Sequence, residues 1–269
     1  MQSESLQGVI TKMKSAYENP IQYYLPLGDN LVDMNGLIGK EIELEFSGDI
    51  HCVSCGKITK KSFAQGYCYP CFVSVPETSE CILRPELCRA HEGVSRDMKW
   101  SESHCLQDHY VYLAISSGLK VGVTRSIQVP TRWIDQGAWK AIKLAKTPNR
   151  YLAGEIEVAL KAYMSDKTSW QKMLKNDIAE DIDLEDEKQK AWELLDEELQ
   201  QYIVDDDEIM EIEYPVSIYP QKVKSLNFDK TPVIKGKLAG IKGQYLIFED
   251  NMVLNIRRHT GYKVKLVIS

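Results

Sequence analysis

Four cysteines in the first third of the chain have the spacing of a metal site. They form two C-x-x-C pairs, Cys52 with Cys55 and Cys68 with Cys71, separated by twelve residues. Each pair spans one tight turn, so two such pairs can place four thiolates around one tetrahedral Zn²⁺. A shell of four thiolates leaves the metal no open position for chemistry, so the predicted role is structural.

A redox pair and disulfides are the alternatives for these four cysteines. A redox C-x-x-C normally occurs once, at the start of a helix. This chain has two, with a predicted short hairpin over Ile58 to Phe63 between them. The repeated spacing favours zinc, and we predict a zinc ribbon over residues 51–72.

A second group of potential ligands lies in residues 76–109, a segment predicted to be irregular. It holds three further cysteines and three histidines. Cys88 and His91 form a C-x-x-H pair, which predicts a second zinc site of the Cys₃His type, with His104 as an alternative ligand. Buried cysteines and surface histidines without a metal are the alternative, but a metal would give this long segment something to fold around. The predicted ligands are Cys81, Cys88, His91 and Cys105.

Length and composition limit the class of protein. The 269 residues are enough for one large domain or two to three small ones. Residues 1–6 lack the pattern of a signal peptide, and no apolar run approaches the length of a membrane span. Because at least four of the seven cysteines are predicted metal ligands, a reducing compartment fits best. We expect a cytoplasmic protein without a membrane partner, and the oligomeric state stays open.

Charge is distributed unevenly along the chain, although the net charge is only −6. Residues 177–213 hold seventeen acidic residues and two lysines, a net charge of −15. Residues 110–176 have eleven basic and four acidic residues, and residues 215–269 have ten and three, so each stretch carries +7. Basic modules favour a partner with a phosphate backbone, and solvated surface charge is the alternative. The acidic segment either shields a basic groove or forms a solvated helix.

Hydrophobic patterns predict the elements that position these residues. Two strands, 110–116 and 119–123, flank a turn at Ser117-Gly118. Apolar residues at helical spacing predict a helix from Pro130 to Ala145 and another over 152–163. An acidic amphipathic helix follows, with Trp192, Leu195, Leu199 and Tyr202 on one stripe. Four short strands are predicted in the last part of the chain, over 233–239, 244–248, 252–258 and 262–268.

Motifs on the predicted elements of the central module resemble those of the GIY-YIG nuclease superfamily. Tyr110-Val111-Tyr112 lies on the first strand, and Lys120-Val121-Gly122-Val123-Thr124 lies on the second. Arg132 begins the next predicted helix, and Glu155 and Glu157 lie on the one after it. The resemblance covers about 65 residues, the size of a small module. It implies an α/β fold and metal-dependent hydrolysis of a phosphodiester bond.

The resemblance also implies roles for individual residues. In that family, tyrosines and an arginine surround the phosphate, and a glutamate holds Mg²⁺. By position, Tyr112 corresponds to the one motif tyrosine that this chain keeps, and Lys120 takes the place of the other. Arg132 corresponds to the arginine that binds the phosphate. We assign the ligand of Mg²⁺ or Mn²⁺ to Glu155, since helical geometry places it slightly nearer the apolar face than Glu157.

Tyr110 and Lys120 depart from the family's motifs, so more than one function stays open. The sharpest hypothesis is a zinc-containing nucleic-acid-binding protein that is also a metal-dependent endonuclease. The alternatives are a non-catalytic nucleic-acid or ribonucleoprotein binding module and a protein-interaction scaffold that uses the acidic helix. DNA and RNA cannot be distinguished. Candidate nucleic-acid contacts are Arg125, Lys140, Arg150, Arg257, Arg258 and His259.

Three further stretches carry a resemblance over nearly the full length. They are Cys52 to Lys57, Arg132 to Ala138 and Asn255 to Tyr262. These stretches resemble a bacterial family described as domain of unknown function 2797, which implies no mechanism.

We therefore predict an α+β chain of several parts, with a zinc ribbon, a GIY-YIG-like α/β module and a small C-terminal β-barrel-like domain. The predicted segments are 1–75, an N-terminal β segment with the ribbon; 76–109, the Cys/His-rich segment; 110–176, the GIY-YIG-like module; 177–213, the acidic helix and linker; and 214–269, the basic β-barrel-like domain.

Overall fold

The computed structural model describes residues 4–164 and 168–269. The chain divides into two compact units, the first made of Met1–Val73 with Glu213–Ser269 and the second of Ser74–Ile212. Within the described ranges the strands are β1 (Glu4–Val9), β2 (Lys14–Ala16), β3 (Gln22–Leu27), β4 (Asn30–Asp33), β5 (Glu41–His51), β6 (Ile58–Thr59), β7 (His109–Ile115), β8 (Leu119–Arg125), β9 (Lys140–Thr147), β10 (Met210–Glu211), β11 (Lys224–Leu226), β12 (Val233–Lys242), β13 (Tyr245–Phe248), β14 (Met252–Asn255) and β15 (Tyr262–Ile268).

The helices are short. Between Ser74 and Met98 the chain makes four separate 3₁₀ turns, at Pro76–Thr78, Glu80–Ile82, Pro85–Leu87 and Ala90–Glu92. In the described part of the chain, no helix combines the length and the hydropathy that crossing a bilayer requires. The α-helices are α1 (Tyr69–Ser74), α2 (Met98–His104), α3 (Thr131–Asp135), α4 (Arg150–Lys161), α5 (Trp170–Leu174), α6 (Leu184–Leu194) and α7 (Glu197–Gln200).

The first unit is built on an eight-stranded sheet that joins the two ends of the chain. Its strand order is β1-β15-β5-β12-β13-β14-β11, and β6 pairs with β5. Strand β5 lies between β12 and β15, so Leu44 has Ile234 on one side and Leu266 on the other. Ile42 and Leu44 are buried while their neighbours are not, the alternation expected of a strand with one face on the core. Strands β2, β3 and β4 form a separate antiparallel sheet in the same unit.

This pairing differs from the predicted division at residues 75 and 214. The predicted N-terminal segment and C-terminal domain share one sheet, because β1 and β5 fill the places beside β15 and β12. Such pairings join residues about 200 positions apart, and local patterns carry no information about them. The last four predicted strands are present, but the third ends at Asn255. There the Asn255 side chain accepts a hydrogen bond from the Arg258 backbone N–H (3.0 Å), and the chain turns into a 3₁₀ helix at Arg257–His259.

The second unit has a four-stranded sheet with the order β10-β9-β7-β8. The hairpin of β7 and β8 is where the sequence predicts it, with Tyr112 opposite Gly122. Helix α4 begins after its N-cap Asn149, whose side chain accepts a hydrogen bond from the backbone N–H of Leu152 (3.0 Å). Its buried face packs against Val111, Leu113 and other residues of the sheet to form the core of this unit.

The predicted helix from Pro130 to Ala145 is wrong. Helix α3 ends at Asp135, and the chain continues as strand β9 from Lys140. Gly137 ends the helix in a left-handed conformation (φ +70°), which a residue with a Cβ rarely adopts. Ala141 and Ile142 then pair with Ala114 and Leu113 of β7. The spacing of these apolar residues fits a helix, but pairing within the sheet decides the outcome.

The acidic amphipathic helix is also divided. Helix α6 ends at Leu194, and α7 starts with Asp196 as its N-cap, whose side chain accepts a hydrogen bond from the Leu199 backbone N–H (3.0 Å). An aspartate after a helical run is a start signal for a new helix, which explains the break.

Helix α4 and the 3₁₀ turn at Pro85–Leu87 pack so closely that only glycine fits between them. A Cβ on Gly154 would lie 2.2 Å from the backbone nitrogen of Glu86. We expect Gly154→Ala to destabilise the second unit by about 1–3 kcal/mol through overpacking, although alanine favours a helix over glycine by about 1 kcal/mol. Thermal and urea unfolding would measure this.

The matched control is Gly118→Ala, because a Cβ there has no atom within 4 Å. Equal stability of the Gly154→Ala variant and the wild type would contradict the close packing of α4 on this turn.

Candidate functional site

Cys52, Cys55, Cys68 and Cys71 lie together at the end of strand β5. Their sulfur atoms all lie within 4.8 Å of one another, and those of Cys55 and Cys68 are 3.8 Å apart. Four sulfurs at about 2.3 Å from one zinc ion in a tetrahedron lie about 3.8 Å from each other. The four cysteines therefore have the donor set and the spacing that Zn²⁺ requires.

The first cysteine pair is held by a tight turn. The backbone N–H of Gly56 donates to the carbonyl of Cys52 (2.8 Å), and that of Cys52 donates to the carbonyl of Lys57 (2.9 Å). Cys68 and Cys71 lie at the start of α1, where Phe63 packs on Tyr69 and Phe72. The prediction of a hairpin over Ile58 to Phe63 differs from the structure. Strand β6 pairs antiparallel with the preceding strand β5 and not with a strand that follows it.

Hydrogen bonds at this site favour a thiolate. Burial raises the pKa of the Cys52 thiol, but nearby backbone N–H groups outweigh burial and lower this pKa to about 6. The donors belong to Ser54, Cys55 and Cys68. Hydrogen bonding with Cys68 raises the pKa of Cys71 to about 12, so the sulfurs share protons that a metal would displace.

The second cysteine group contains three of its four predicted ligands. The sulfurs of Cys81, Cys88 and Cys105 lie within 4.8 Å of one another. The thiols of Cys81 and Cys88 donate to the sulfur of Cys105 and lower its pKa to about 2. Cys88 and Cys105 are buried, while Cys81 is half-buried. The three side chains come from two 3₁₀ turns and the end of α2, so their sulfurs hold together a segment with little regular structure.

The predicted histidine ligands lie elsewhere. The ring of His91 stacks on Tyr151 (4.5 Å between centroids), and its Nε2 is 3.8 Å from the carboxylate of Glu92. The ring of His104 stacks on Trp100 (4.0 Å between centroids), and its Nδ1 is 3.0 Å from the Trp100 carbonyl. The C-x-x-H spacing did not bring His91 to the sulfurs because Ala90–Glu92 forms a 3₁₀ turn that ends at Gly93 (φ +78°).

Arg150 connects the second cysteine group to α4. Its guanidinium is buried and donates to the carbonyls of Cys81 (3.2 Å) and His104 (3.1 Å). The Arg150 backbone N–H donates to the carbonyl of Cys105 (2.8 Å). We predicted Arg150 as a nucleic-acid contact from its charge, but the structure uses this charge inside the unit.

His109 is buried beside the same group. Its Nδ1 is 2.7 Å from the Gln107 carbonyl, and its Nε2 has no hydrogen-bond partner among the described residues. Burial lowers the pKa of His109 to about 4, with a smaller contribution from the charge of Arg150. The ring is therefore neutral at pH 7, with the proton on Nδ1 and the lone pair on Nε2.

Tyr112, on the inner strand β7, is the centre of a third cluster in the second unit. Its ring covers Gly122 of strand β8, where a Cβ would lie 2.6 Å from the tyrosine oxygen. Gln136 Nε2 donates to this oxygen, and the guanidinium of Arg132 lies within hydrogen-bonding reach. Burial raises the pKa of Tyr112, and the two donors oppose this rise.

Glu157, and not Glu155, belongs to the cluster around Tyr112. Glu157 is buried and forms an ion pair with Lys161 (3.1 Å). Burial raises the pKa of Glu157, while the charges of Lys161 and Arg132 lower it. Glu155 lies beside Tyr151, whose pKa it raises.

Glu155 is the predicted ligand on an apolar face centred near Ile156 and Tyr163. Tyr163 is 66% exposed, so the buried face of α4 is centred elsewhere. The buried residues of α4 are Arg150, Ala153, Gly154, Ile156, Glu157 and Leu160. Gln136 was not predicted at all, although its position four residues after Arg132 places both side chains on one side of α3.

Lys120 lies on strand β8, two residues before Gly122 and half-exposed. Side chains alternate along a strand, so Lys120 shares the sheet face of Gly122 and Tyr112. Arg132 and Glu157 thus both interact electrostatically with Tyr112. Lys120 lies on the same sheet face, about 7 Å along β8 from Gly122.

The remaining predicted nucleic-acid contacts have different environments. Arg125 is half-buried, and Lys140 forms an ion pair with Glu211 (2.7 Å). Arg257 is half-exposed and Arg258 is exposed, both on the 3₁₀ turn after β14. His259 is buried, and its Nε2 accepts a hydrogen bond from the Phe228 backbone N–H (3.3 Å). Burial lowers the pKa of His259, so this residue belongs to the core of the first unit.

The acidic segment binds the basic strand β9. The Nζ of Lys143 is 2.6 Å from the carboxylate of Asp206, and the Val204 backbone N–H donates to the carbonyl of Leu144 (3.0 Å). The hydrogen bond between Lys143 and Asp206 raises the pKa of Lys143 and lowers the pKa of Asp206. Asp206 and Glu211 of the acidic segment thus both form ion pairs with lysines of β9.

A family model described as "Protein of unknown function (DUF2797)" matches residues 39–264. The chain belongs to the DUF2797 family. The matched range contains both cysteine groups and the cluster around Tyr112. No curated protein and no solved structure matches the chain.

The first cysteine group of the DUF2797 protein gives a direct prediction. We expect Cys52→Ser to lower the zinc content by one ion per chain and to lower the thermal stability of the first unit, because metal binding and local folding are coupled. Elemental analysis and thermal unfolding would measure both. Lys57→Ala is the control, since Cys52 uses only the backbone carbonyl of that residue. An unchanged zinc content in Cys52→Ser would contradict the assignment.

Proposed function

We propose that this DUF2797 protein binds nucleic acid through its central module and hydrolyses a phosphodiester bond there with one divalent cation. The observation that carries the proposal is the clustering of Tyr112, Arg132 and Glu157 at strand β8. These residue types occur in the order of the GIY-YIG nucleases, and the side chains approach one another although they come from three different elements.

Each side chain has a role that follows from its chemistry. The Glu157 carboxylate is the ligand for Mg²⁺ or Mn²⁺, which would have to displace the ammonium of Lys161. Such a cation supplies charge stabilisation to the phosphate oxygens. The guanidinium of Arg132 binds the same phosphate, since its planar fork of N–H groups matches two oxygens.

Tyr112 acts in this proposal as a neutral hydrogen-bonding group. Burial raises its pKa, so the phenol keeps its proton at pH 7. Arg132 and Gln136 both point donors at its oxygen, which fixes the orientation of the hydroxyl. Lys120 stands where the GIY-YIG nucleases have a tyrosine. Its ammonium is suited to binding phosphate and not to acting as a general base.

Binding without cleavage is the second candidate function, and the burial of Tyr112 favours it. Only 1% of this residue is exposed, so a substrate reaches its hydroxyl only if neighbouring side chains move. A protein-interaction scaffold is a weaker candidate, because Asp206 and Glu211 of the acidic segment already bind lysines of their own unit.

The test is strand scission by the purified protein across flap, loop and single-stranded substrates. We expect cleavage to require Mg²⁺ or Mn²⁺ and to fall by about 100-fold or more in Arg132→Ala and in Glu157→Gln, as for lost transition-state electrostatics. Glu155→Gln is the matched control, since it makes the same change two positions away, beside Tyr151. Tyr112→Phe removes one hydroxyl and separates a chemical role from packing.

The outcomes distinguish the candidates. Cleavage that persists in Arg132→Ala and Glu157→Gln would point to a contaminating nuclease and contradict the site. Binding that weakens steeply with salt, without cleavage, would favour the non-catalytic module. No binding to any DNA or RNA at low salt would leave the scaffold.

The contact between the acidic segment and β9 gives a separate prediction. Asp206→Asn removes the charge that pairs with Lys143 but keeps the oxygen that accepts from the Glu208 backbone N–H. We expect nucleic-acid affinity to rise several-fold at low salt, because Lys143 becomes available to phosphate. Fluorescence anisotropy over a salt series would measure it.

Glu187→Gln is the control for this variant, because it makes the same charge change in the same segment. Glu187 pairs with Lys190 on its own helix (2.6 Å). Equal gains in the two variants would mean that only net charge matters and would contradict shielding of β9 by Asp206.

A further inference from the structure

The cysteine group of the second unit is incomplete as a structural zinc site. The sulfurs of Cys81, Cys88 and Cys105 lie within 4.8 Å of one another, a spacing that fits one ion rather than a larger cluster. Structural zinc sites are closed by a fourth protein ligand, whereas sites with three protein ligands keep a position for water or another small molecule. The identity of the fourth donor therefore determines what this site can do.

No fourth side chain joins the three sulfurs in the described part of the chain. Histidines, carboxylates and further cysteines all lie outside the group of mutually close donor atoms. His91 is stacked on Tyr151, and His104 is stacked on Trp100. His109 is the best remaining candidate, because its Nε2 is buried without a partner, but it too lies outside the group.

A cavity of about 400 Å³ lies beside the second cysteine group. Its wall includes Cys81, Cys88 and Cys105, and Trp100 gives it an apolar side. This volume is in the range of sites that hold small ligands. The cavity gives a small molecule a route toward the residues of this group.

We propose that Cys81, Cys88 and Cys105 bind one Zn²⁺ whose fourth ligand comes from solution through this cavity, and that a small thiol occupies that position. Three thiolates make the site soft, and a soft sulfur donor competes well with water for such a metal. On binding, the thiol loses its proton to solvent, its sulfur forms the fourth bond to zinc, and the bound water leaves. No electron is transferred, so neither an oxidant nor a reductant is needed.

The test is cadmium-113 NMR of the full chain loaded with ¹¹³Cd²⁺, which stands in for Zn²⁺ on thiolate ligands. We expect two resonances, one for each cysteine group. Titration with 3-mercaptopropionate should shift one resonance in a saturable way. The other should not move, because four cysteines already complete that shell. Propionate is the matched control, since it has the same carboxylate and no sulfur.

Variants assign the responding resonance. Cys88→Ser should abolish it and leave the other resonance unchanged. His109→Ala should leave both resonances in place before thiol is added. If Cys88→Ser does not fold, the titration of the wild type and of His109→Ala decides alone.

Three results would overturn the proposal. One ¹¹³Cd²⁺ per chain would mean that the three cysteines hold no metal. If neither resonance shifted on addition of the thiol, the metal at Cys81, Cys88 and Cys105 would already have a complete set of ligands. A shift of the second resonance in His109→Ala without thiol would make His109 the fourth ligand.

Discussion

The buried guanidinium of Arg150 is the interaction on which the second unit depends. A charge in that position is costly unless it is hydrogen-bonded and balanced, and the carbonyls of Cys81 and His104 meet the first condition. The sulfur of Cys105 meets the second, since the charge of Arg150 contributes to its low pKa. In the proposed site, one zinc ion with three thiolates would carry a net charge of −1, which the guanidinium would offset. Arginine and cysteines therefore stabilise each other, and together they fix the start of α4, the helix that carries Glu157.

Local chemistry could be predicted from the sequence with some success. The spacing of Cys52, Cys55, Cys68 and Cys71 predicts their grouping, because a tight turn leaves each pair little freedom. The hairpin at Ser117-Gly118 is also where the pattern places it. Each of these features depends on a few neighbouring residues, whose own conformational preferences decide the result.

Features that depend on distant partners could not be predicted. Ala141 and Ile142 have helical spacing, yet β7 offers them a place in a sheet. The partners of β5 come from the last quarter of the chain, and no local pattern indicates them. His91 lies apart from the sulfurs, and Glu155 lies apart from the cluster around Tyr112, for a related reason. Spacing says which side chains are near in sequence but not which way the chain turns. Glu157 could have been preferred if the exposed Tyr163 had been left out of the apolar face.

Strand β8 is an edge of its sheet, because it pairs with β7 and, in the described part of the chain, with no other strand. An edge strand of seven residues is a template onto which a second molecule can add a strand. Proteins commonly prevent this with charged side chains, lysine above all. Lys120 and Arg125 lie near the two ends of β8. Charged side chains at these positions oppose self-assembly of the protein through this edge. Lys120 would have this effect whether or not it binds phosphate.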